Sequence, residues 1–513
     1  MKKIEGFATG QHTREFQNAR PSVSYKMLGR TGLAVSAAGF GCYRVESGSK
    51  EHKDSMISAI SGGINLIDTS ANYTDGNSEL LVGEVIGELV AGGKISREDI
   101  VVVTKGGYIQ GQNYKASLKR KAEKDPFPEL VEYGEGLEHC IHPEFLEEQI
   151  TKSLHRLNLS TIDIYLLHNP EYYLAWAEKN GLDAGAVQTE YYRRIKNAFI
   201  HLEKEVEKGR VRYYGISSNT FAVPESSYNF TSLVRVIAIA SEISETDHFG
   251  AIEFPMNLFE SGAAVEKNQG GGKTLLETAR SKNLGVLTNR PLNAFYKGAM
   301  IRLAQPPETN FSQPGGTGSE SVINDAIKTL GASEEAIGIE FEKLFEADFK
   351  QAEPVLQNVF IHEQLSRDWK GFESLANFDS YLNQYYRPRA QYFLLHLKKS
   401  IFENKKIGAN ISAYINDALA VFEKIREYYK AEHSKTVLKI SGCVINAAPE
   451  FSGSKNLSSI AIRSLINTPG ISSVLVGMRS AEYVADVLEA VKSEPAGKET
   501  DWPALKQSLE ASF

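Results

Sequence analysis

"INLIDTSANYTDGNSELLVGEVIGEL", residues 64–89, opens as an apolar run and closes as an amphipathic helix. Between the two stand a carboxylate, Asp68, and a phenol, Tyr73, with Gly76, Asn77 and Ser78 just beyond. A strand, a short loop and a helix form one unit of an alternating fold. The unit recurs. Short β-branched runs stand at 34–41, 64–70, 99–105, 162–168, 211–218, 250–257, 284–291 and 472–478. These runs are near-continuously apolar, as expected for parallel strands covered on both faces. Amphipathic segments lie between them at 77–89, 143–157, 187–208, 272–283, 456–467 and 480–493. The pattern predicts an α/β chain folded as a (β/α)8 TIM barrel. An open doubly wound sheet fits less well, because no strand is followed by GxGxxG.

The alternation is interrupted between strand seven and the helix before strand eight. The reading divides the chain into a barrel, 1–295 with 456–513, and an inserted, mostly helical subdomain, 296–455. The insertion opens with "QPPETNFSQPGGTGSE" (305–320), whose Pro, Gly, Ser and Thr read as a linker. Helical spacing follows near 332–351, 380–402 and 410–432. A segment leaving strand seven emerges at the barrel face where active sites lie. A lid over the mouth and a peripheral bundle are both open readings of it.

The 513 residues are 42% hydrophobic with a formal charge of −7, enough for a large core and unsuited to a general nucleic-acid binder. The basic run "KASLKRKAEK" (115–124) reads as a solvated loop or helix face. Three scattered cysteines, Cys42, Cys140 and Cys443, offer neither a disulfide framework nor a CxxC metal site. No apolar leader segment and no run long enough to span a bilayer is visible. The expectation is a soluble cytoplasmic protein that uses no metal. "GGGKT" (270–274) resembles a phosphate loop, but the first glycine of a Walker A motif would fall on Lys267, so it reads as a turn.

In a parallel barrel the C-terminal strand ends converge on one mouth. Asp68 ends strand two, Lys105 strand three and His168 strand four, and Tyr73 follows strand two by a short loop. Each alone reads as a cap, a solvated amine, a core histidine or a packing residue. Their common placement reverses that reading. A phenol titrates near about 10, and a neighbouring ammonium is expected to lower the Tyr73 pKa, while Asp68 keeps Lys105 charged and aimed. His168 could orient a carbonyl oxygen by donating a hydrogen bond. Together they could polarise or protonate a carbonyl.

These four residues resemble the Asp/Tyr/Lys/His tetrad of the aldo-keto reductase superfamily. "LGRTGLAVSAAGFG" (28–41), "GGINLIDTSANYTDGNSELLVGEVI", "VVVTKGG", "IDIYLLHNPE", "EKGRVRYYGISS" and "GISSVLVGMRSAEYVADVL" are each similar to family segments, in family order. The similarity covers roughly 26–293 and 456–493. It implies hydride transfer between a nicotinamide dinucleotide and a small carbonyl or alcohol substrate, with Tyr73 as acid/base. NADP is the family's usual choice, NAD being possible. For the nicotinamide carboxamide it implies Ser217, Ser218 (for the usual Asn) and Glu253 (for the usual Gln). Gly41, Cys42, Asp68, Pro291 and Leu292 would also lie beside the cofactor. Asn289 stands where a stacking aromatic is common, and Arg290 could contact the pyrophosphate. Gly477, Arg479 and Ser480 match the 2′-phosphate segment, with Tyr483 at an often basic position and Asp486 at that of the adenine-binding Glu. Oxidation of a sugar or lactol, or a cofactor-binding regulatory subunit with little turnover, are the alternatives. Substrate and oligomeric state are not legible.

Overall fold

The computed structural model describes residues 3–304, 319–345, 359–396, 405–492 and 498–513. Most of the expected linker (305–318) lies outside them, as do the ends of two expected insertion helices (346–351 and 397–402) and residue 493.

Eight parallel strands close into a barrel: β1 (Ala38–Gly41), β2 (Leu66–Asp68), β3 (Val101–Gly106), β4 (Ile162–His168), β5 (Val211–Ser217), β6 (Phe249–Pro255), β7 (Gly285–Asn289) and β8 (Ser473–Gly477). Each strand pairs with its neighbours in sequence, and β8 closes on β1 through Gly477 and Gly41. One helix precedes or follows each strand outside: α1 (Lys50–Ser61), α2 (Asn77–Ala91), α3 (Pro143–Arg156), α4 (Ala184–Glu207), α5 (Leu233–Ile243), α6 (Leu275–Ser281), α7 (Leu457–Ile466) and α8 (Ala481–Lys492). Side-chain caps start several of them, such as Ser49 on His52 N–H, Asp183 on Ala186 N–H and Asn456 on Ser459 N–H. The barrel interior is filled by Leu66, Val101, Val103, Ile164, Leu166, Ala251, Leu287 and Leu475.

The expected first strand, 34–41, is two strands. Ala34–Ser36 pairs antiparallel with Tyr25–Met27, and only Ala38–Gly41 enters the barrel. The ladder breaks because Ser36 N–H donates to Asn65 Oδ1 at 2.8 Å and Ala37 N–H to Ser24 O. Two further sheets sit in loops. Tyr108–Ile109, Leu137–His139 and Val131–Gly134 form one after β3, and Asn293–Tyr296 with Ala299–Arg302 form a hairpin after β7. The basic run lies on a helix, Gly111–Ala122, where Lys121 pairs with Glu132 and Glu138. Gly270, Gly271 and Gly272 all take positive φ, forming a turn that leads to the Thr274 cap of α6.

The chain divides into two compact units, Met1–Ala304 with Ser441–Phe513, and Gln305–Ile440. The second is helical among its described residues, with its own buried cluster that includes Ile323, Leu330, Trp369, Phe378 and Ile425. No described helix is long and apolar enough to cross a membrane. Among the described residues no group of three or more His, Cys, Asp or Glu is arranged to hold a metal.

Candidate active site

Successive strand residues alternate between the two faces of a sheet. Along β3, Val101 and Val103 point into the barrel core, so Lys105 does too. The same step takes Leu66 to Asp68 on β2 and Leu166 to His168 on β4. It takes Ala251 to Glu253 on β6 and Leu287 to Asn289 on β7. Ser217 stands in register with both His168 and Glu253. The apolar interior therefore ends in a polar ring at the C-terminal mouth, and β1 and β8 contribute only Gly41 and Gly477 to it.

Lys105 is the hub of this ring and is wholly buried. Its ammonium donates to Asp68 Oδ1 at 2.5 Å, Thr69 O at 3.2 Å and Tyr73 Oη at 3.4 Å. Glu253 Oε2 lies 3.3 Å away, so one ammonium serves two carboxylates. Thr104, next to Lys105, donates to Glu79 Oε1 on α2, and Glu79 also binds Arg156 of α3; this ties β3 to its helices. Tyr73 starts a tight turn, Tyr73–Gly76, in which Thr74 and Asp75 take φ of 46° and 56°. Thr74 hydroxyl on Val45 O and Asp75 on Gln112 N–H hold that turn. The Tyr73 ring meets the edges of Tyr43 and His168. His168 Nδ1 lies 3.0 Å from Ser70 Oγ, and its carbonyl oxygen 2.7 Å from His139 Nε2. A cavity of about 340 Å³ opens at Tyr73, lined by Tyr43, Arg44, Glu46, Asn72, Thr74 and Gln110.

Electrostatics correct one expectation. Burial raises the Tyr73 pKa, Lys105 pulls it down, and Asp68 with Glu253 push it up again; the net direction is upward. The lysine does favour the phenolate, but burial, with Asp68 and Glu253 adding to it, outweighs that pull. Burial opposes the charge on Lys105, yet Asp68 and Glu253 hold its pKa above the ordinary amine value. Burial and the Glu253 carboxylate push the Asp68 carboxyl up to about 8 against the pull of Lys105. Burial, with Lys105 and His139 nearby, holds His168 well below the usual imidazole range, so it is neutral.

Asp68, Lys105, Tyr73 and His168 are thus brought together, with Cys42 behind them donating its N–H to Asp68 O. Glu253, expected only as a carboxamide acceptor, belongs to the same charge cluster. Asn289 donates to Glu253 Oε1 at 2.7 Å. Of two buried oxygens that accept no hydrogen bond among the described residues, Glu253 Oε2 has the Lys105 ammonium at 3.3 Å as its ion-pair partner, and Asn289 Oδ1 is the other. Ser218 Oγ accepts from Thr220 N–H, and Asn219 N–H donates to the buried Glu171. Arg290 is engaged by Glu260 at 2.8 Å and lies over the Phe295 ring. Pro291 is buried and Leu292 half-buried at the start of the hairpin after β7. Arg479 is exposed beyond β8, Ser480 sits at the start of α8, and Asp486 pairs with Lys455 at 3.3 Å. The sequence reading missed Ser70, His139 and Glu171. Ser70 sits two residues past Asp68 and Glu171 three past His168, so proximity to the strand ends was the available signal.

The Aldo/keto reductase family model matches residues 39–328, more than half of the chain. The NADH-specific methylglyoxal reductase of Escherichia coli (strain K12) is 32% identical over 149 residues, 28% of this chain and 40% of that protein. The chain therefore spans less than half the length of that relative. A protein of Schizosaccharomyces pombe named as a voltage-gated potassium channel subunit beta is 24% identical over 284 residues, 55% of this chain and 68% of its own. Among solved structures, a glycerol dehydrogenase from Gluconobacter oxydans superposes with a TM-score of 0.46 and 16% identity, over 96% of each chain.

Proposed function

Because the chain belongs to the aldo/keto reductase family, we propose that it is an NAD(P)H-dependent oxidoreductase acting on a small carbonyl or alcohol, with Tyr73 as general acid/base. The observation that carries the reading is the contact of Tyr73 Oη with Lys105 Nζ at 3.4 Å, beside Asp68 at 2.5 Å, on one barrel mouth. A bound nicotinamide would supply or accept the hydride. Tyr73, protonated at neutral pH, gives its proton to the carbonyl oxygen in reduction and takes it back in oxidation. Lys105 stabilises the negative charge left on the phenol, and Asp68 holds that ammonium in place. Ser70 engages His168 Nδ1, which leaves Nε2 to position the substrate oxygen.

The residues present suit a nicotinamide. A buried acceptor left without a hydrogen bond is unfavourable; Asn289 Oδ1 is one such acceptor, and it and Glu253 Oε2, which accepts no hydrogen bond beyond its ion pair with Lys105, could each accept from the carboxamide NH2. Ser217 and Ser218 stand beside them at the end of β5. The exposed Arg479, with Ser480, favours the 2′-phosphate of NADP, NAD being the alternative. Kd for NADPH and NADH decides between them, and a clear preference for NADH would sink the choice of NADP.

The test of the whole reading is Tyr73→Phe. Carbonyl reduction should fall by about 10²-fold or more while cofactor Kd changes by less than about twofold. Retained turnover would overturn the assignment of Tyr73. The likeness to a channel subunit favours one second reading, a cofactor-binding regulatory protein. It gains if the wild-type protein binds cofactor but turns over nothing in a broad carbonyl panel.

A further inference from the structure

The family pattern calls for one carboxylate at the lysine; this ring has two. Glu253 and Asp68 both face the Lys105 ammonium, at 3.3 Å and 2.5 Å, from opposite sides of the barrel mouth, β6 and β2. All three are buried. The other titratable groups around Lys105 carry no compensating charge. Tyr73 keeps its proton, Cys42 is held neutral by burial and the nearby Asp68, and His168 is neutral. Among the described residues, the Glu253 side chain also accepts a hydrogen bond from the Asn289 amide, which is uncharged. Two carboxylates facing one ammonium leave the cluster one positive charge short. In a buried site that deficit is felt strongly, because little solvent screens it.

We propose that Glu253 makes the mouth selective for a cationic ligand, so that an oxidised nicotinamide ring, which carries a positive charge, is held more tightly relative to the neutral reduced ring than a glutamine at this position would allow. The inference rests on the nicotinamide reading given above. Without a cation, Asp68 keeps its proton near neutral pH, burial and the facing Glu253 carboxylate having raised it to about 8. Arrival of a positive ring makes both carboxylates stable in their charged form, so that proton leaves to solvent. Binding of the neutral reduced ring offers no such exchange. Glu253 therefore acts through charge on the oxidised ring, and through Lys105 on Tyr73.

The test uses the full-length protein and Glu253→Gln, with NADP⁺ and NADPH, and with NAD⁺ and NADH, as probes. Titration calorimetry in buffers of different ionisation enthalpy gives both Kd and the protons exchanged. The expected result is a ratio of oxidised to reduced Kd that rises by about tenfold or more in Glu253→Gln, for a charge removed from a buried site. In the wild type, binding the oxidised form near pH 7 should release up to about one proton per site and binding the reduced form should release none. A ratio unchanged within about twofold, or equal proton exchange for the two oxidation states, overturns the role of Glu253. Should Glu253→Gln fail to fold, the wild-type proton count alone decides. If the wild type binds neither oxidation state of either dinucleotide, the nicotinamide reading falls, and this inference with it.

Discussion

Lys105 between Asp68 and Glu253 has a consequence for the ligand-free protein as well. Asp68 binds its proton more tightly in the folded chain than an ordinary carboxylate does, with a pKa raised to about 8. A group raised on folding contributes stability that is fully present below its unfolded pKa, near about 4, and lost as the pH rises through about 8. The ligand-free protein should therefore lose Tm as the pH rises from about 5 to about 8 and level off above that, and Asp68→Asn or Glu253→Gln should flatten that slope. Thermal melts at half-unit pH steps check it; parallel curves for wild type and variants would count against the raised Asp68 carboxyl. The convergence of the proposed catalytic residues was legible in the sequence because Asp68, Lys105 and His168 each close an apolar run whose strand parity is unambiguous. Glu253 was legible only in part. Its run, "GAIEFPMN", continues past the glutamate, so nothing local marks that residue as a strand-end group. The expected fall in the Tyr73 pKa failed chiefly because burial, which nothing local in the sequence marks, raises it, and Asp68 and Glu253 add to that rise against the pull of Lys105.

At the scale of elements, closure leaves little room between strands. A Cβ on Gly215 of β5 would stand 1.9 Å from Ala251 O on β6, a backbone atom that cannot rotate away. The β5–β6 register shifts at this point, between Tyr214 and Gly215. Gly215→Ala should destabilise the protein by about 2–3 kcal/mol, in the range of overpacked cores. Gly453→Ala, where a Cβ meets nothing within 4 Å, should stay within about 0.5 kcal/mol. Equal Tm for the two variants would show that the strands can spread. Strands β2 to β8 were legible because parallel, doubly covered strands write themselves as uninterrupted apolar runs. Helices α1 and α5 were not among the expected segments, for opposite reasons. The buried stripe of α1 is only Ser55, Met56, Ala59 and Ile60 on a polar helix. Most of α5, "LVRVIAIASEI", is apolar and rich in β-branched residues, a composition that suits a strand equally well. The Ser232 cap on Arg235 N–H was the discriminating signal.

For the whole molecule, the barrel interior and the cluster within residues 305–440 share no residue. The Pro/Gly-rich start and the helical spacing pointed to an inserted unit, whereas the hairpin Asn293–Arg302 at its entry gave no periodic signal, being two four-residue strands around Lys297–Gly298. Within the inserted unit Trp369 is almost fully buried. Its indole N–H donates to Asn324 Oδ1 at 3.2 Å, and its carbonyl accepts from Tyr429 hydroxyl at 2.6 Å. The ring also meets Tyr428 edge-on. Trp369→Ala removes that packing, and large-to-small changes of this kind lose about 3–5 kcal/mol. The backbone carbonyl contact survives truncation and the exposed Asn324 can turn to water, so the loss comes from the cavity. Hydrogen exchange should then quicken in Glu320–Phe345 and in the part of Lys405–Ala447 that belongs to this unit, because both helices line the cluster. Amides of β3, β4 and β5 should keep wild-type protection, since the opening energy of a cooperative unit is set by its own contacts. A matching loss of protection in those strands would mean that the two cores unfold as one.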